Sequence, residues 1–168
     1  MNAHAYLGLK LIHVLAVVLF LGNITTGIFW KANADRTRDP RIIANMLEGI
    51  IQADRLFTMP PIILLLIGGF GAAIVGNFPI LGTGWIFWSI VLFIISGFAF
   101  MAQVVPSQRK MLALVRGSEQ SGLDWPAYRA LSHRWELWGA VALITPAIAA
   151  VLMVMKPAIP GLRALLGH

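Results

Sequence analysis

Residues 6–30, YLGLKLIHVLAVVLFLGNITTGIFW, decide what kind of object this chain is. The stretch exceeds the roughly 20 helical residues, at about 1.5 Å rise each, that cross a hydrocarbon core. Its only ionisable groups well inside that length are Lys10 and His13, and residues 14–30 carry no charge. An ionisable group inside a span marks a candidate site by default, so Lys10 and His13 are the features to explain. The stretch has no basic residue before Lys10 and is too long for a signal-peptide core, so it is expected to remain in the mature protein.

Three further runs have the same character: residues 56–76, 85–105 and 135–155. They agree with a composition of 58% hydrophobic and 12% charged residues and a mean hydropathy of +0.79, which describes an integral membrane protein rather than a soluble domain. The net charge of +6 does not indicate nucleic acid, because the basic residues are confined to two segments between apolar runs. With no cysteine, disulfides and thiolate metal sites are excluded.

Residues 31–55 carry Lys31, Arg36, Arg38, Arg41 and Arg55, and residues 106–134 carry Arg109, Lys110, Arg116, Arg129 and Arg134. On the other side, only Lys156 and Arg163 in the tail are basic. The positive-inside bias predicts both long connections in the cytoplasm and both termini outside, in a cell inner membrane. His13 then lies roughly 10 Å below the outer edge of the hydrocarbon.

Asp39 before Pro40 is an N-cap and first-turn pair, and Ile42, Ile43, Met46, Leu47, Ile50 and Ile51 repeat at helical spacing. This predicts an amphipathic cytoplasmic helix over 40–55, between spans one and two. Pro60 and Pro61 suit a first turn of span two, and Gly68/Ala72 and Gly69/Ala73 allow a close helix approach or room for a flat ligand. The short connection 77–84 makes spans two and three a hairpin, with Trp85 and Trp88 at aromatic-belt positions.

Ser89, Ser96 and Gln103 recur every seventh residue and give span three one weakly polar stripe toward a neighbouring helix. A basic helix over 108–116, a flexible stretch over 117–122 and a helix opening at Asp124 with Pro126 in its first turn follow. Arg129, His133 and Glu136 share a face that reads as an interfacial ion-pair cluster, with proton handling as the alternative. Thr145-Pro146 predicts a kink and a freed carbonyl in span four.

The expected architecture is thus all-α: an integral membrane four-helix bundle forming a single domain over 1–168, with the amphipathic helix between spans one and two. Lys10 is near enough to the edge to snorkel. His13 is expected to be the only deep ionisable side chain, and imidazole is both a helix-bridging group and a ligand for metals and haem iron. Tyr6, Ala16, Phe20, Ile24 and Gly27 share its face, a surface suited to an inserted ring or to helix packing.

A second histidine at that depth is absent, since His4, His133 and His168 lie elsewhere, which argues against a self-contained bis-histidine cytochrome. One axial histidine, a methionine second ligand or a site shared across a dimer stay open. No nucleophile and base pair, intramembrane carboxylate pair or phosphate loop is apparent, so catalytic residues are not assigned.

Tyr6-Leu7-x-Leu9-Lys10-x-x-His13, Val105-Pro106 with Gln108-Arg109, and Arg134-Trp135 opening a span that ends Met155-Lys156-Pro157 resemble a family of small prokaryotic membrane proteins of unknown function. The Leu9-Lys10-x-x-His13 start and the last span also resemble, more distantly, HemJ-type protoporphyrinogen oxidases, which bind b-type haem, and the membrane domain of CopD-type copper-resistance proteins. The HemJ resemblance implies haem b as cofactor, His13 as its metal ligand and porphyrin contact, and Lys10 against a propionate, with Tyr6 beside them.

The chain lacks that family's histidine in a middle span and has Glu136-Leu137 where the family has Asn-Glu. Two functions are carried forward. One is a haem- or porphyrin-associated redox protein; the other is a non-catalytic membrane subunit in which Lys10 and His13 only bridge helices. The expected partners are the lipid bilayer and a homodimer mate or membrane partner protein, with no nucleic acid.

Overall fold

The computed structural model describes residues 3–119 and 122–166. Residues 120 and 121 of the expected flexible stretch, and His168, lie outside the described residues. Helices α1 (Ala3–Thr37), α2 (Pro40–Phe57), α3 (Met59–Val75), α4 (Gly84–Ala99), α5 (Val105–Arg116), α6 (Trp125–Met155) and α7 (Leu162–Leu165) follow in order. Among the described residues, four helical rods are long and apolar enough to cross a membrane: α1, α2 with α3, α4 with α5, and α6. The fold is an all-α membrane bundle, as the hydropathy predicts.

Local signals set the helix ends. The Asp39 carboxylate accepts from the Arg41 backbone N–H at 2.8 Å, and that of Asp124 accepts from the Ala127 N–H at 3.0 Å, each with proline in the first turn. Thr58 separates α2 from α3, and Pro60 and Pro61 occupy the first turn of α3. A π-helical segment, Phe100–Val104, joins α4 to α5 just before Pro106. Past α6 the tail folds back: Trp88 Nε1 donates to the Pro160 carbonyl at 3.1 Å, and the Leu162 N–H donates to the Leu81 carbonyl at 2.9 Å. A Cβ at Gly84 would overlap the Ile159 carbonyl, so only glycine allows that return.

The rods alternate in direction and pack chiefly as two pairs, α1 on α3 and α4 on α6. Gly68 makes the first pair close: a Cβ there would sit 2.8 Å from the His13 backbone nitrogen and the Leu9 carbonyl. The polar stripe of span three joins the second pair. Ser89 Oγ donates to the Ala149 carbonyl at 3.2 Å, Ser96 Oγ donates to the Ala142 carbonyl at 2.7 Å, and Arg134 Nε donates to Gln103 Oε1 at 2.8 Å. Ala142 is the residue whose carbonyl Pro146 leaves without an i+4 donor, so Ser96 satisfies it across the helix pair.

The buried core lies at the basic end, where α2 and α5 pack beneath the pairs: Ile43, Leu47, Phe100, Val104, Met111, Val115, Tyr128 and Trp135 pack together. The rod surfaces that face outward are apolar, Leu15, Ile63, Ile94, Phe98 and Val151 among them, which suits contact with a lipid bilayer.

Candidate functional site: a cleft between two helix pairs

Away from the basic end the two pairs stand apart and line an open cleft of about 450 Å³. Tyr6, Lys10, His13 and Val17 of α1 and Leu65, Gly69 and Ala73 of α3 form one wall. Trp85, Ser89 and Phe93 of α4 and Pro146, Ala149 and Met153 of α6 form the other. Phe20 and Phe93, with ring centroids 5.9 Å apart, meet at its deep end. Lys10 and Lys156 both line it, and Lys156 Nζ stands 5.5 Å over the Trp85 ring. Tyr6, Lys10 and His13, chosen from one helix face, therefore share one cavity.

The state of His13 follows from its bond. Its Nδ1 lies 2.8 Å from the Leu65 carbonyl oxygen, which can only accept, so Nδ1 carries the proton. In the neutral ring Nε2 then keeps its lone pair, the arrangement found in metal-ligating histidines oriented by a backbone carbonyl. Gly69 makes room for the ring: a Cβ there would lie 2.8 Å from Nδ1 and 2.9 Å from Cε1. The small-residue spacing in span two thus serves both the helix approach at Gly68 and the seat of the imidazole at Gly69. Among the described residues no three His, Cys, Asp or Glu side chains gather as a metal cage.

Two polar clusters at the basic end also bury ionisable groups within the protein. Lys31 belongs to α1 rather than to a connection, and it is only 2% exposed. Its ammonium donates to Asp35 and to Ser132 Oγ, each at 2.6 Å, stands 3.5 Å from Glu136, and lies 5.2 Å over the Trp135 ring. Tyr128 Oη donates to Asp35 at 2.6 Å, and burial beside that carboxylate pushes the phenol pKa up.

Glu136 therefore bonds to Ser132 and Lys31, whereas the sequence paired it by spacing with Arg129 and His133, which are exposed. The signal available in the sequence was the i,i+4 spacing of Lys31 with Asp35 and of Ser132 with Glu136.

The second cluster centres on Asp54. Its Oδ1 accepts from Asn23 Nδ2 at 3.0 Å and from Thr58 Oγ1 at 3.2 Å, and its Oδ2 accepts from Gln108 Nε2 at 3.0 Å. No cation bonds to it among the described residues. Asn23, the lone amide in the uncharged part of span one, is the signal the sequence holds for this cluster.

The family model described as "Predicted integral membrane protein (DUF2269)" matches residues 7–157, from the first turns of α1 to just past the end of α6. No curated protein and no solved structure matches the chain. The match spans all four apolar rods and both walls of the cleft, and on that extent the chain belongs to the DUF2269 family of predicted integral membrane proteins.

Proposed function

We propose that the cleft holds a haem or porphyrin and that the protein is a membrane redox protein using it. The observation that carries this reading is the His13 bond to Leu65, which holds the ring as the Nδ1–H tautomer in a large, mostly apolar cavity with two lysines on its lining. The volume lies within the range of about 300–1,000 Å³ usual for cofactor sites. His13 Nε2 would be the protein ligand to iron, Lys10 and Lys156 would pair with the propionates, and the small Ala73 on the same wall would leave room for a flat ring.

Bound haem supplies one-electron chemistry. The chain's own part is to fix the imidazole tautomer, neutralise the carboxylates and exclude water with apolar walls. The basic end is assigned to the cytoplasm of an inner membrane, which puts the cleft in the outer half.

The test is the absorption spectrum of protein purified in detergent from haem-sufficient cells. A Soret band that disappears in His13→Ala and shifts in Gly69→Ala, where the new methyl group displaces the ring, is the expected result. Wild type that is folded and colourless, and stays colourless on haem titration, refutes it. The same His13 bond ties α1 to α3, and that favours one second reading: a non-catalytic subunit in which His13 only bridges helices. There His13→Ala weakens the fold and no ligand is bound.

A further inference from the structure

A second, smaller cavity lies where the two polar clusters meet. It measures about 20 Å³ and is lined by Asn23, Asp54, Gln108 and Trp135, with apolar groups completing it. That volume suits one water molecule, since about 10–15 Å³ of such space is the minimum. Trp135 is only 4% exposed, and its Nε1–H, the side chain's one polar atom, has no partner among the described residues. A buried donor of this kind is costly to leave unpaired.

The bonds to Asp54 use the amide nitrogens of Asn23 and Gln108, so the Oδ1 of Asn23 and the Oε1 of Gln108 remain as acceptors on residues lining the cavity. An occupant bonded to these groups accepts from the indole and donates to amide or carboxylate oxygen. A metal cation cannot accept, and a simple anion cannot donate; water does both.

We propose that this cavity is a binding site for a single internal water, which accepts a hydrogen bond from Trp135 Nε1–H and donates to the oxygens of the Asn23–Asp54–Gln108 cluster. The water joins the Lys31 and Asp54 networks through the indole. On one side the Lys31 ammonium rests on the Trp135 ring. On the other, the Asp54 carboxylate holds α2 to α1 through Asn23 and to α5 through Gln108. With the water in place, the polar layer continues across the rods at the basic end.

The site is independent of any ligand in the cleft, and its test is separate. In full-length protein in micelles, the indole proton of Trp135 is assigned by its absence in Trp135→Phe, and its cross-relaxation with water and its deuterium exchange are measured. The expected result is a cross-peak at the water frequency from an indole proton that exchanges slowly, and loss of that cross-peak in Asn23→Leu, which fills the cavity. Gln108→Met gives the same reading should Asn23→Leu fail to fold.

Absence of the cross-peak in wild type overturns the proposal. So does rapid exchange, which would mean an opening to bulk solvent, and so does a cross-peak that persists in the folded cavity-filling variant.

Discussion

Replacing Ser96 with alanine probes how span four carries a proline in its interior. Pro146 has no N–H, so the Ala142 carbonyl lacks its helical donor, and the Ser96 hydroxyl supplies one at 2.7 Å from the neighbouring helix. Both residues are 1% exposed, so neither water nor lipid headgroups can substitute. Ser96→Ala removes one atom, opens little space and strands that carbonyl, at a cost of about 1–3 kcal/mol by the general scale for buried groups. Hydrogen bonds between membrane helices average nearer ~0.6 kcal/mol and reach ~1.7, which brings the expectation to about 1 kcal/mol.

The sharper quantity is the coupling. Pro146→Ala restores the backbone donor, so Ser96→Ala in that background should cost less than about 0.3 kcal/mol, a coupling of about 0.7 kcal/mol. Reversible unfolding in mixed micelles, followed by circular dichroism in the four proteins of the cycle, measures it. If Ser96→Ala costs the same in both backgrounds, the two groups are independent, and the account of how Pro146 is accommodated is wrong.

Lys31→Met keeps the stem and removes the ammonium, leaving Asp35 facing Glu136 across Ser132; the unfolding midpoint should fall by the equivalent of about 3 kcal/mol, with partial recovery in Lys31→Met/Asp35→Asn. An unchanged midpoint would mean that the Lys31 cluster contributes nothing to stability. Asp54→Ala removes the acceptor that holds Asn23, Thr58 and Gln108, and the unfolding midpoint should fall by the equivalent of about 2 kcal/mol; an unchanged midpoint would mean that these three bonds contribute nothing to stability.

Much of the scaffold was legible because it depends on neighbours in the chain. Asp39-Pro40 and Asp124 with Pro126 each satisfy helix-end donors within three residues, so composition at those positions suffices to place the ends. The Ser89, Ser96 and Gln103 repeat and the proline at 146 both speak through helical period, and they proved to be two halves of one contact.

The site was legible only in part. Lys10, His13 and Tyr6 could be placed on one face, but the cavity they share exists because the α1–α3 and α4–α6 pairs diverge away from the basic end. Nothing in a single helix records that divergence.

Hydropathy and helical period in the sequence by themselves determined four apolar rods, their alternation, and the amphipathic helix over 40–55. Tertiary structure alone decided which charges are buried. Lys31 follows an apolar run and looks like an ordinary boundary cation, yet Ser132, 101 residues away, and the Trp135 ring enclose it. Asp54 looks the same and is held by Asn23 and Gln108, 31 and 54 residues distant.

The reason is that burying a charge is set by the partners that replace its water, and those partners come from other helices. The same holds for His13. Its place in the span is a matter of sequence, but its proton is assigned by the Leu65 carbonyl of a helix 52 residues on.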